Sequence, residues 1–93
     1  MVTAIVMIRT DKSTIPETAE RIAGLEGVSA VYSVTGGWDL VAMVKLREYD
    51  QLADTIADQL SKVSGIQDTE TMLAFRTYSQ ADLGEGWALG FEG

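Results

Sequence analysis

The sequence contains no cysteine and no histidine, a single proline, and only 7 lysines and arginines against 14 aspartates and glutamates, a formal charge of −7. Each shortage removes a class of function. Without cysteine there is no disulfide framework and no thiolate chemistry. Without histidine as well, the usual ligands of structural zinc, haem and copper are missing, and so are triads and dyads that need an imidazole. The seven basic residues, Arg9, Lys12, Arg21, Lys45, Arg47, Lys62 and Arg76, never form a run. A sequence-independent grip on nucleic acid needs such clustering, so direct nucleic-acid binding is not expected. The uncharged apolar stretch from Met1 to Ile8 is too short to cross a membrane and lacks the basic leader of a signal peptide. These absences predict a soluble cytoplasmic protein. At 93 residues it buries only about 60% of the surface its unfolded chain exposes, so its core needs help from elsewhere.

What is present is a well-patterned domain. Val2 to Arg9 is almost continuously apolar and β-rich, the pattern of a central strand. Thr14-Ile15-Pro16-Glu17 fits a capping box with proline in the first turn, and Ile15, Ala19, Ile22 and Leu25 or Ala23 recur at helical spacing up to Gly27. Val28 to Thr35 reads as a strand, Gly36-Gly37 as a hairpin turn, and Leu40 to Leu46 as a second apolar strand. Asp50 is placed to cap a second helix whose stripe runs through Leu52 or Ala53, Ile56, Ala57, Leu60 and Val63 to Gly65. Ile66 to Tyr78 reads as a final strand. Residues 1–78 thus form one domain, followed by a Gly-rich, aromatic extension over 79–93 with Leu83, Trp87, Leu89 and Phe91.

An internal repeat organises this order. A shift of 38 residues superposes Ala4, Val6, Ile8 and Arg9 on Ala42, Val44, Leu46 and Arg47, Ile22 on Leu60, and Gly27-Val28 on Gly65-Ile66. Two βαβ halves related by a pseudo-twofold axis give an α+β, ferredoxin-like βαββαβ sandwich with a four-stranded antiparallel sheet. Strand alternation assigns Ala4, Val6, Ile8, Ala42, Val44 and Leu46 to the helices. It leaves Ile5, Met7, Val41 and Met43 on a second face that two helices cannot also cover. A homodimer packed sheet against sheet would bury that face; alternatively the extension folds back over its own sheet.

The hairpin Val34-Thr35-Gly36-Gly37-Trp38-Asp39-Leu40 is the most unusual local feature. A purely structural reading has the glycines making the turn and Asp39 pairing with Arg9 across the central strands. A functional reading has the glycines opening backbone N–H groups to a carboxylate while Asp39 meets an ammonium, the two groups of an α-amino acid. Thr69, Glu70 and Thr71 open the last strand with polar side chains, which suits a solvent-facing edge. Asp50, Asp54 and Asp58 have ladder spacing but lack further oxygen ligands, and they read as a solvated helix face.

The run from Gly27-Val28 through Thr35-Gly36-Gly37-Trp38-Asp39, then Gly65-Ile66 with Thr69 and Thr71, resembles the effector-binding RAM domain of the Lrp/AsnC (feast/famine) regulators over roughly residues 1–77. The resemblance implies sheet-to-sheet dimers assembling as octamers or decamers, with a small effector, usually an amino acid, bound between dimers near the hairpin. Carried over by motif, Gly36, Gly37, Trp38, Asp39, Thr69 and Thr71 would line that pocket. Trp38 stands where tyrosine or phenylalanine is more frequent. The family's helix-turn-helix domain has no match here, which implies a stand-alone form, with a full-length regulator as a further candidate partner. The expectation is a non-enzymatic effector-binding oligomer without cofactor or metal. The competing readings are a small dimeric α+β barrel enzyme of the monooxygenase or isomerase type and a pure assembly module.

Overall fold

In the computed structural model, which describes residues 1–80, four antiparallel strands are ordered β2-β3-β1-β4. The strands are β1 (Val2–Thr10), β2 (Val28–Ser33), β3 (Leu40–Leu46) and β4 (Ile66–Ala74), with helices crossing between β1 and β2 and between β3 and β4. The two apolar strands are central, as their lack of alternation predicts. The ferredoxin-like α+β fold is therefore the observed one. The last strand ends at Ala74, four residues before the predicted limit at Tyr78. The predicted apolar cover from Leu83, Trp87, Leu89 and Phe91 lies outside the described residues.

β1 and β3 pair from Val2↔Leu46 to Ile8↔Leu40. In this register Ile5 pairs with Met43, its own mate in the 38-residue repeat, so the pseudo-twofold axis passes between these two side chains. The symmetry extends to the irregularities. Val28 and Ala30 face the consecutive residues Val44 and Met43, which leaves Ser29 as an extra residue in β2. Ile66 and Asp68 face Thr10 and Arg9, which leaves Gln67, the repeat mate of Ser29, as the extra residue in β4. Each bulge flips the alternation once. Val28 and Ile66 can thus join the helix-side core while Ala30 and Asp68 sit on the opposite face.

The core between sheet and helices comprises Ala4, Val6, Ile8, Leu40, Ala42, Val44 and Leu46 from the strands with Ile22, Leu52 and Leu60 from the helices. Full burial of each larger side chain is worth about 1.5–3 kcal/mol. Helix α1 (Ile15–Ala23) ends at Gly24, one turn before the expected Gly27. Its start also differs from the capping-box expectation. Asp11 caps a preceding 3-10 turn, Lys12–Thr14, by accepting from Ser13 N, and Thr14 makes no capping bond. Aspartate two residues ahead of Ser13 competes well for that N–H because it forms a local Asx turn.

The second crossover starts at α2 (Tyr49–Ala53), continues as a π-helical stretch, Asp54–Gln59, and closes in a 3-10 turn, Leu60–Lys62. Glu48, not Asp50, is its cap. Gln51 Oε1 accepts from Glu48 N and from Arg47 N, each at 3.1 Å. The wider π turn changes the phase of the buried stripe. Thr55 is buried and bonds Glu26 O at 3.4 Å, whereas Ala53 and Ala57 face solvent.

Neither helix covers the other face of the sheet. It carries Ile5, Met7, Val41 and Met43, all half-buried, and the paired neighbours Tyr32 and Met72 at 55% and 40% exposure.

Candidate functional site

The β2–β3 connection is longer than a two-residue turn. Ser33 pairs with Leu40, Val34 N donates to Asp39 O at 3.1 Å, and Gly36 alone in this loop has a positive φ, 108°. Gly36 and Gly37 have open space where a side chain would project. Among the described residues, none of the hydrogen bonds uses the N–H groups of Gly36, Gly37 or Trp38. Three backbone donors are therefore presented on one exposed loop, an arrangement that suits an anionic group.

Arg9 ties this loop down. Its Nη2 donates to Gly37 O at 3.0 Å, its Nη1 donates to Asp68 Oδ2 at 3.1 Å, and its Cζ lies 4.5 Å from the centroid of the Trp38 ring. One guanidinium thus links the hairpin, across the end of β1, to the start of β4. Asp39 is 8% exposed and does not pair with Arg9, in contrast to the structural reading of the sequence. Its Oδ2 accepts from Thr10 N at 2.9 Å and its Oδ1 from the Lys12 ammonium, while its own N–H donates to Ile8 O at 2.9 Å. Arg9 emerges on the uncovered face and is engaged by Asp68 there. Lys12, on the turn after β1, reaches back to the carboxylate instead. The Lys12 hydrogen bond holds the Asp39 carboxyl below its ordinary value, helped by Thr10 N–H and opposed by burial. The side chain is a carboxylate with a cation already on it.

Gly36, Gly37, Trp38 and Asp39 therefore lie together. Thr69 and Thr71 pair with Ile8 and Val6, so both occupy the helix-side face of β4, where they are exposed. Arg9 and Asp68 occupy the opposite face of the same strand pair. Sequence reasoning brought Arg9 to the hairpin but gave it Asp39 as partner in place of Asp68 and Gly37 O, and it passed over Lys12 and Asp68. The signal for Arg9 was its place at the end of β1 beside the hairpin; for Lys12 there was only its nearness to Asp11. Three clefts among the described residues have linings that include no hairpin residue. One of about 350 Å³ lies between the start of α1 and the turn before β4, with Asp11, Glu17, Arg21 and Ser64 among its lining residues. Among the described residues no group of three or more acidic side chains could hold a metal ion, and no helix is long and apolar enough to cross a membrane.

Residues 3–83 match the family model of the Lrp/AsnC ligand binding domain. An uncharacterized HTH-type transcriptional regulator of Pyrococcus horikoshii, PH1916, is 35% identical over 81 residues, covering 84% of this chain and 54% of the relative. The chain spans about half the length of the curated relatives it matches. The crystal structure of TTHA0845 from Thermus thermophilus superposes with a TM-score of 0.80 at 43% identity, covering 85% of this chain and 99% of that one. The transcriptional regulator NMB0573 of Neisseria meningitidis, in complex with L-Met, shares the fold at 15% identity with a TM-score of 0.75, over 84% of this chain and 52% of that one. Family model, relatives and superposed structures agree with the observed fold: the chain belongs to the Lrp/AsnC family and carries its ligand-binding domain.

Proposed function

We propose that this domain is a non-enzymatic sensor that binds a small effector of the amino-acid type at the hairpin and acts as an oligomer. The observation that carries the reading is the clamped loop, in which Gly36, Gly37 and Trp38 present unpaired N–H groups beside a charged, buried carboxylate, Asp39. The backbone donors suit a ligand carboxylate and Asp39 suits an ammonium. The L-Met complex of the Neisseria regulator, which shares this fold, supports an amino acid as the ligand class. In one chain the loop faces solvent, so the remaining walls of a pocket would come from a neighbouring copy.

The uncovered face supports the oligomer. Burying Ile5, Met7, Val41, Met43 and Met72 against a second sheet would supply the hydrophobic contact that this small core lacks. We further propose that these dimers assemble into octamers or decamers and join a full-length regulator in mixed assemblies. The regulatory role named for the relatives favours this over catalysis.

The test is a thermal-shift screen of the twenty L-amino acids on the wild-type chain and on Asp39→Ala. A ligand that binds only the folded state raises the melting temperature by mass action, with a stabilisation that grows as the logarithm of ligand concentration above Kd. The expected result is a concentration-dependent rise with one or a few amino acids that Asp39→Ala abolishes. No rise with any amino acid at millimolar concentration would overturn the sensor reading.

A further inference from the structure

The acidic side chain best placed to receive a ligand ammonium is already occupied. Lys12 donates to Asp39 Oδ1, Thr10 N donates to Oδ2 at 2.9 Å, and only 8% of the Asp39 side chain is exposed. Lys12 itself is fixed at its base and exposed to solvent along its side chain. Its backbone lies in the 3-10 turn that Asp11 pins by accepting from Ser13 N at 3.0 Å and Ser13 Oγ at 2.9 Å, while its side chain is 76% exposed. The other cation at the site, Arg9, is committed to Asp68 and Gly37 O.

An α-amino acid whose carboxylate sits on the hairpin N–H groups brings its own ammonium toward Asp39. A second cation cannot share so enclosed a carboxylate without like-charge repulsion, and the exposed Lys12 is the one that can leave. We infer that Lys12 holds the place of the ligand's α-ammonium on Asp39, and so sets how strongly the site distinguishes an α-amino acid from the same acid without its amino group. The inference rests on the hairpin being the effector site. It identifies Lys12 as the residue that sets ligand specificity and makes the effector's amino group a competitor of a side chain in this chain. A 2-oxo acid, with no ammonium, leaves the Lys12–Asp39 pair in place and loses nothing by it.

The test compares two ligands on three proteins by calorimetry: the L-amino acid giving the largest thermal shift and its matching 2-oxo acid, on wild type, Lys12→Met and Lys12→Arg. Removing the competitor in Lys12→Met should tighten amino-acid binding about fivefold, the scale of an exposed lysine–carboxylate pair. Binding of the 2-oxo acid should not tighten, because Asp39 then carries an uncompensated negative charge. Lys12→Arg, which keeps a cation, should restore the wild-type ratio of the two affinities. A ratio is insensitive to any general loosening of the loop, which would move both ligands together. If the amino acid binds and the ratio is unchanged in Lys12→Met, the competition is overturned while the effector site stands. If neither ligand binds wild type or Lys12→Met, both readings are overturned.

Discussion

Arg9 lies against Trp38 with its guanidinium carbon 4.5 Å from the ring centroid, and the same guanidinium donates to Gly37 O and to Asp68. Removing it should cost stability and loosen the loop. A partly exposed cation–π contact contributes about 0.5–1 kcal/mol and an exposed ion pair about 0–1 kcal/mol, so Arg9→Ala should lose about 1–2 kcal/mol. For a domain of this size that is a fall in Tm of about 4–15 °C. Exchange of the Val34 and Asp39 amides, which bond Asp39 O and Ile8 O at the base of the loop, should accelerate beyond what the global loss explains. Arg9→Lys keeps the charge but not the planar fork, and should recover less than half of the difference. A wild-type Tm in Arg9→Ala would show that the clamp carries no stability.

The charged state of Asp39 predicts how the fold responds to acid. Its carboxyl is held below the ordinary 3.8 first by the Lys12 hydrogen bond and then by Thr10 N–H. A depressed folded-state value means stability that is fully present above the unfolded value and is lost as pH falls through the folded one. Denaturant unfolding should therefore show wild type more stable than Asp39→Asn at about pH 6, with the difference shrinking as pH falls below the ordinary 3.8 and through the lower folded-state value. Asp11, also lowered, by Ser13 N–H and the Ser13 hydroxyl, remains in the variant and leaves it some acid sensitivity. A constant difference across the range would mean that Asp39 acts through shape alone.

The paired glycines of the repeat were legible because chirality makes them so, whereas the paired bulges were not. Gly27 and Gly65 occupy φ of 91° and 98°, a region costly for other residues, and their recurrence 38 residues apart marked the symmetry. Ser29 and Gln67 occupy equivalent bulges with no special residue type, because an extra residue in an edge strand needs no positive φ. The helix caps were misplaced for a related reason. Thr14, Asp11, Glu48 and Asp50 are all competent acceptors, and packing of the turn selects among them. At the site, the glycines and Asp39 stand together in sequence and so were found. Arg9, Lys12 and Asp68 are brought in by strand register and a turn, which composition does not encode. The π-helical stretch has no signal in the Asp54–Gln59 residues at all.

The glycines also separate strain from space. At Gly27 a side chain would combine a positive φ with a collision against Leu46, next to the bond from Lys45 N to Gly27 O at 2.7 Å. Gly27→Ala should destabilise by about 2–4 kcal/mol. Gly36 has the positive φ but open space, so Gly36→Ala should cost about 1 kcal/mol. Gly37 has neither constraint, and Gly37→Ala should stay within about 0.5 kcal/mol of wild type. Chemical denaturation of the three variants checks the order. Equal losses at Gly27 and Gly36 would show that the Leu46 contact relaxes freely.

The proposed dimer has its most sensitive point at the Ile5–Met43 pair, where the pseudo-twofold axis leaves the sheet on the uncovered face. Met43 is half-buried within one chain, so a carboxylate there can still reach water in the monomer. In a sheet-to-sheet dimer it would be enclosed against apolar side chains, opposite the same substitution from the partner. Enclosed like charges cost several kcal/mol, so Met43→Glu should weaken dimerisation by about 100-fold or more with little change in the folded monomer's circular dichroism. Ala57→Glu, on the solvent side of the second crossover, should leave association unchanged. Sedimentation equilibrium over a wide concentration range reads both. If Met43→Glu associates like wild type, the copies meet through some other surface and the sheet face must be buried by something else.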